Sequence, residues 1–95
     1  MISLKLPQDD LPVTMLRNLG PKSAMMLAEV GIRTIGELRA IGAVKAYVRV
    51  RAIHTRGASV NFLWSMAAGL DGRGWQDVST EEKASLLAEV RSLRR

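Results

Sequence analysis

A chain of 95 residues with 47% apolar side chains is long enough for one globular domain and excludes a disordered protein. The absence of cysteine excludes disulfides, cysteine-based zinc sites and thiol catalysis. The net charge is +5, no apolar run approaches the ~18 residues of a membrane span, and the first residues lack the apolar core of a signal peptide. These features predict a cytoplasmic protein that does not contact a membrane.

The N-terminal third is predicted to contain a leader and two helices. Residues 1–8 are interpreted as a flexible leader, and residues 9–95 as a single helical domain. The acidic pair before Leu11 and Pro12 predicts a short first helix to about Arg17. Pro21 starts the next helix, because its fixed φ suits a first turn, and Gly31 ends it.

The middle of the chain predicts two further helices. Thr34 and Glu37 have the spacing of a capping box, so a helix begins after Thr34 and stops at Gly42. A longer helix is predicted from Ala43 to about His54. Residues 48–52 also alternate as a strand would, but a lone strand would have no partner in this chain.

The C-terminal part is predicted to hold the most buried helix and a closing helix. Ser59 starts the first, which is apolar on two sides as far as Leu70. Ser79 and Glu82 form a second capping box. The residues predicted to be buried here are Trp64, Trp75, Ala84, Leu86, Leu87, Val90 and Leu93.

These elements predict an all-α domain of five main helices plus a short first one. Residues 16–24 and 38–46 share leucine, arginine, glycine and alanine at the same offsets, and each copy lies where a short helix meets a longer one. We interpret them as a doubled helix-hairpin-helix-like (SAM-like) unit in the first half of the domain. The alternative is a chance match among common residues.

The first hairpin is a candidate phosphate site. Gly20 precedes a helix N-terminus, whose free N–H groups suit a phosphate oxygen that Lys22 can also reach. Where DNA-binding hairpins carry a first glycine, this chain has Asn18 in one copy and Ala40 in the other. Asparagine tolerates a left-handed backbone and alanine does not, which favours the first hairpin. The alternative is that both hairpins only pack helices together.

Positive charge is concentrated in residues 17–56, which carry eight basic and two acidic side chains, whereas residues 57–95 are neutral. Within that segment Lys45 and Arg49 are four residues apart on one helix face, with Arg56 beyond them and Arg51 offset. We interpret this row as a docking stripe for DNA phosphates or an acidic protein surface. The alternative is an ordinary solvated face.

An enzyme is the weakest interpretation. His54 has no second histidine or cysteine to share a metal. The serines at positions 23, 59 and 79 suit helix starts, and no second catalytic group follows at a recognisable spacing. The sequence therefore predicts no catalytic residue, no cofactor and no metal.

Five segments of the sequence together match a known family: residues 16–23, Leu27, residues 31–47, Asn61-Phe62-Leu63-Trp64 and Trp75-Gln76-Asp77-Val78. On these segments the sequence resembles the C-terminal domain of the TfoX/Sxy family over about residues 11–90. The stretch from Gly31 to Tyr47 is the most specific part, although its glycine-isoleucine-threonine step also occurs in other helix-hairpin-helix proteins.

The resemblance implies a bacterial regulator of competence for DNA uptake. Such proteins act in some bacteria as coactivators with the cyclic-AMP receptor protein, and they usually carry an N-terminal α/β domain ahead of this one. The chain is thus expected to be either an excised domain or a short stand-alone homologue. The family has no catalytic motif that transfers to these residues.

The leading hypothesis is a regulatory interaction module that acts in transcription. Its expected partners are a regulatory protein, such as the cyclic-AMP receptor protein or a TfoX N-terminal domain, duplex DNA, or both. A non-specific binder of the DNA backbone and a structural homodimerisation module are the alternatives. The predicted contact residues are Arg17, Asn18, Gly20, Lys22, Lys45 and Arg49.

Overall fold

Five α-helices joined by short turns make up the protein in the computed structural model, which describes residues 7–93. Three 3₁₀ helices supplement them, and no strand occurs between residues 7 and 93. The all-α, five-helix prediction is confirmed. Residues 1–6 of the predicted leader lie outside the described residues, and the domain limits stay a prediction. The α-helices are α1 (Pro21–Glu29), α2 (Ile35–Ile41), α3 (Ala43–Ile53), α4 (Val60–Leu70) and α5 (Thr80–Leu93), and the 3₁₀ helices are Pro7–Asp10, Val13–Met15 and Trp75–Asp77.

Both predicted capping boxes are formed. The Glu37 N–H donates to Thr34 Oγ1 at 3.1 Å, and the Thr34 N–H donates to Glu37 Oε1 at 3.0 Å. At the start of α5, the Glu82 N–H donates to Ser79 Oγ and the Ser79 N–H donates to Glu82 Oε1, both at 3.1 Å. Ser59 is the residue before α4, as predicted, but its side chain makes no capping hydrogen bond.

The predicted short first helix is wrong as an α-helix. In its place the chain makes only the 3₁₀ turn Val13–Met15. The reason is a backbone pairing on either side of Pro12: the Val13 N–H donates to the Arg33 carbonyl at 3.0 Å, and the Ile35 N–H donates to the Leu11 carbonyl at 2.9 Å. These hydrogen bonds hold the segment around Pro12 extended against the start of α2. Their backbone groups are therefore not available to form an α-helix.

The core is centred on α4, which is the most buried helix, as predicted. Its buried residues are Phe62, Leu63, Trp64, Met66, Ala68 and Gly69. The helix α3 packs against each of the other four α-helices, and residues 48–52 are helical despite their alternation. No helix of the described chain is long and apolar enough to cross a membrane.

Three residues that were predicted to be buried are exposed. Trp75 is 42% exposed, because the 3₁₀ turn Trp75–Asp77 that carries it lies at the surface and buries none of its residues. Ala84 and Leu93 are also exposed, whereas Val90 is buried and Leu86 and Leu87 are half-buried. The helix α5 packs mainly on α3, so only a narrow side of it is covered.

Candidate functional site

The exposed face of α3 carries the predicted basic row. Lys45 and Arg49 are both exposed, and their spacing of four residues places their Cβ atoms about 6 Å apart on one side of the helix. Arg56, in the turn after α3, is exposed as well. Within residues 7–93 these three side chains form no salt bridge. We call Lys45, Arg49 and Arg56 the α3 stripe.

The opposite face of α3 explains why the stripe points outward. Ala46, Tyr47 and Val50 are buried, which orients the helix. Arg51 lies off the stripe, as predicted, because its guanidinium turns back onto the protein. It donates to the Ala58 carbonyl at 3.2 Å and lies 5.9 Å from the centre of the Tyr47 ring.

Two of the predicted contact residues have partners inside the protein. Asn18 adopts a left-handed backbone, with φ of 77°, as its residue type allows. Its side-chain amide donates to the carbonyls of Ser65 and Arg73, and its Oδ1 accepts from the Trp75 N–H. Arg17 donates to the Gly72 carbonyl at 3.0 Å. Asn18 therefore joins the first hairpin to α4 and to the loop after it, a role that the sequence analysis did not predict.

The backbone of the first hairpin shows which residue its turn depends on, and the predicted phosphate site stays a prediction. Gly20 has φ of −121°, an extended conformation that any residue adopts, so the turn does not depend on glycine there. The left-handed residue in this copy is Asn18. Lys22 is exposed in the first turn of α1 and forms no salt bridge within the described part of the chain.

Two glutamates at helix starts, and the arginine that binds one of them, have clearly shifted pKa values among the described residues. Hydrogen bonds from the backbone N–H groups of Arg33 and Thr34 lower the pKa of Glu37. The Arg73 guanidinium, followed by the Ser79 N–H, lowers the pKa of Glu82 to about 2. The hydrogen bonds to Glu82 and Asp71 raise the pKa of Arg73 in turn. Arg73 is thus a positioning residue that sequence reasoning missed, because its partners become neighbours only in the fold.

His54 pairs with Glu29, which joins the end of α3 to the end of α1. Between residues 7 and 93, no three acidic, histidine or cysteine side chains converge as a metal site. The histidine therefore has a structural hydrogen-bond partner in Glu29.

An open groove of about 380 Å³ lies beside Lys45, between the start of α3 and the end of α5. Val44 and Leu86 lie in its largely apolar wall, and Leu93, at the end of α5, is 45% exposed. The charged side chains that line the groove are Lys45 and Glu89. Sequence reasoning missed the groove, because its two sides come from segments about forty residues apart.

Residues 10–90 match the TfoX C-terminal domain family. Over 75 residues, or 79% of this chain, the sequence is 35% identical to the DNA transformation protein TfoX of Haemophilus influenzae. The match covers 34% of that protein, so the chain spans about a third of the relative's length.

Two solved structures from Listeria monocytogenes have the same fold. One is an uncharacterized protein in a triclinic crystal form, with a TM-score of 0.77 at 23% identity; the alignment covers 87% of this chain and 93% of that one. The other is a protein of unknown function in a tetragonal form, with a TM-score of 0.75 at 24% identity and coverage of 84% and 98%. Both chains consist almost entirely of this fold.

Proposed function

The chain belongs to the TfoX C-terminal domain family, a competence-related family, and from that premise we propose that it is a non-enzymatic regulatory interaction module. It acts in transcriptional control through contacts to protein, DNA or both. The observation that carries the proposal is the α3 stripe, whose positive charges are exposed and have no acidic partner within residues 7–93.

The stripe suits a polyanionic or acidic partner for two physical reasons. Lys45 and Arg49 lie on a rigid helix that packs against every other α-helix, so binding does not require the backbone there to be ordered first. Because these side chains form no ion pair within the described chain, an incoming phosphate or carboxylate does not have to displace an acidic neighbour. Arg17 and Asn18 lie outside α3 and are less available, since their side chains already bond to backbone groups.

Duplex DNA is the first partner to test. Affinity is measured at several salt concentrations for the wild type and for the double variant Lys45→Gln/Arg49→Gln. The slope of log K against log salt is negative for phosphate binding. If both side chains contact phosphates, the double variant makes this slope shallower by about 2. The matched control is Arg33→Gln/Arg91→Gln, which removes the same charge from exposed positions off α3.

The result separates three cases. A loss confined to the α3 variant supports DNA contact through the stripe, whereas an equal loss in both variants means that only net charge matters. If the wild type does not bind duplex DNA, the same variants are measured against the cyclic-AMP receptor protein, the regulatory partner that the family suggests. A wild type that binds neither partner contradicts the proposed function.

A further inference from the structure

The groove between α3 and α5 leaves an apolar surface open at one end of the domain. On α5 it is lined by Leu86, Glu89 and Leu93, whose spacing of three and four residues puts them on one helix face. On α3 it is lined by Val44 and Lys45. We propose that this groove is a self-association face, in which a second copy of the chain related by a twofold axis inserts its Leu93 and pairs its Glu89 with Lys45.

Charge is the first argument for a second copy. The whole chain carries a net charge of +5, so most faces of two copies repel each other. The groove is different, because it is lined by one basic and one acidic side chain, Lys45 and Glu89. Within residues 7–93 neither has a salt-bridge partner. A twofold axis turns this one face into two reciprocal ion pairs, since each residue of an isologous interface meets its counterpart twice.

Shape is the second argument. Leu93 projects beside the groove and is 45% exposed, which is unfavourable for a large apolar side chain that has a depression next to it. A copy related by the twofold axis offers the same projection and the same depression, so both leucines are covered in one step. The surface thus has both the exposed leucine and the depression that a second copy needs.

The size of the groove sets the strength of the association. Nine residues line it, against about 20–30 residues on each side of a standard interface. We therefore expect a weak dimer, with a dissociation constant on the order of 10–100 μM. Arg49 and Arg56 do not line the groove and stay available for nucleic acid in the dimer, whereas Lys45 is shared between the two surfaces.

The test is the solution mass of the full chain, without DNA, from about 10 μM to about 1 mM by sedimentation equilibrium. The wild type is expected to approach twice its monomer mass at the upper end. Lys45→Glu and Glu89→Lys each put two like charges opposite each other in both ion pairs of the dimer. Each substitution is expected to weaken association by about tenfold or more. The double reversal Lys45→Glu/Glu89→Lys is expected to restore the wild-type mass curve, while the control Arg33→Glu, at an exposed position that does not line the groove, leaves association intact.

Each alternative outcome overturns the assignment. A wild type that is monomeric at about 1 mM shows that no second copy binds the groove at useful strength. Single reversals that dimerise as the wild type does place the interface elsewhere, and a double reversal that stays monomeric rejects the Lys45–Glu89 pairing. If NMR signals of Val44 and Leu93 shift with added duplex DNA while the mass stays monomeric, the groove belongs to the nucleic-acid surface. Circular dichroism of every variant confirms that the helices are intact.

Discussion

The two copies of the repeat, residues 16–24 and 38–46, share a side-chain pattern but not a backbone. Leu16 and Leu38 are both buried. Arg17 and Arg39 both donate to carbonyls at the C-terminal end of α4, Arg17 to Gly72 and Arg39 to Leu70. Cationic side chains are favourable there, because they satisfy free carbonyls and oppose the helix dipole. The two segments therefore pack alike at their first two positions.

The backbones of the two copies diverge at the turn. In the first copy the left-handed residue is Asn18, at the third position, and the glycine at the fifth position is extended. In the second copy α2 continues through Ala40, and Gly42 at the fifth position has φ of 89°. Side-chain hydrogen bonds hold the first turn, whereas glycine alone permits the second. The first hairpin is thus fastened to α4, and the second leaves a groove beside it.

The contact between the first hairpin and α4 is expected to be the most sensitive to substitution. A Cβ atom at Gly69 would lie 2.5 Å from the Arg17 carbonyl oxygen, and a backbone atom cannot move aside alone. Gly69→Ala is expected to lower the free energy of unfolding by about 3 kcal/mol, measured by urea denaturation. Helix propensity alone predicts the opposite, a gain of about 1 kcal/mol, and that gain would show that the hairpin does not pack on α4 this closely.

Two substitutions at Asn18 separate the contribution of its hydrogen bonds to stability from that of its left-handed backbone. Asn18→Ala removes three hydrogen bonds and places alanine at φ of 77°, so we expect a loss of about 2 kcal/mol. Asn18→Gly removes the same bonds but tolerates the backbone, and about 1 kcal/mol of the loss should return. Thermal unfolding of both variants measures the difference. Equal losses would mean that the left-handed conformation contributes nothing.

The local features of the fold could be predicted from the sequence, and the long-range ones could not. The capping box of Thr34 and Glu37 needs only neighbouring residues, as does the stripe spacing of Lys45 and Arg49. Arg17 and Asn18 bond to groups 55 residues away, Gly72 and Arg73, and no periodicity records that proximity. The groove was equally invisible, since it exists only where α3 meets α5.

The fifth position of the repeat offers a smaller and more direct test of the comparison. Gly42 has φ of 89° and ψ of 152°, a region that is open almost only to glycine. Gly42→Ala is expected to lower the free energy of unfolding by about 1.5 kcal/mol. At Gly20, the matching position, an added Cβ meets no atom within 4 Å and the backbone is extended, so Gly20→Ala should cost only about 0.5 kcal/mol, because alanine is a poorer N-cap than glycine. Urea midpoints that shift equally would contradict the divergence of the two turns.

The smallest expected effect is a pH dependence of stability. It depends on Glu82, which supports the loop that packs on the first hairpin. Glu82 binds Arg73, whose carbonyl accepts from Asn18, so this carboxylate supports the loop from behind. Its pKa is lowered in the folded protein to about 2, below the ordinary value of about 4.3. A lowered folded pKa means that the stabilisation is fully present above the ordinary value and is lost as pH falls toward 2.

Glu82→Gln should therefore flatten the fall in the urea midpoint between about pH 4.5 and pH 2.5. The control is Glu81→Gln, which removes the same charge from the exposed neighbouring position. Other carboxylates, including Glu37, are present in all three proteins and also contribute to the pH dependence of the urea midpoint. Only the difference in slope between the proteins therefore reports on Glu82. Parallel slopes in Glu82→Gln and the wild type would disconnect the Arg73–Glu82 pair from stability. The first hairpin would then depend on Asn18 and the Gly69 contact without support from the start of α5.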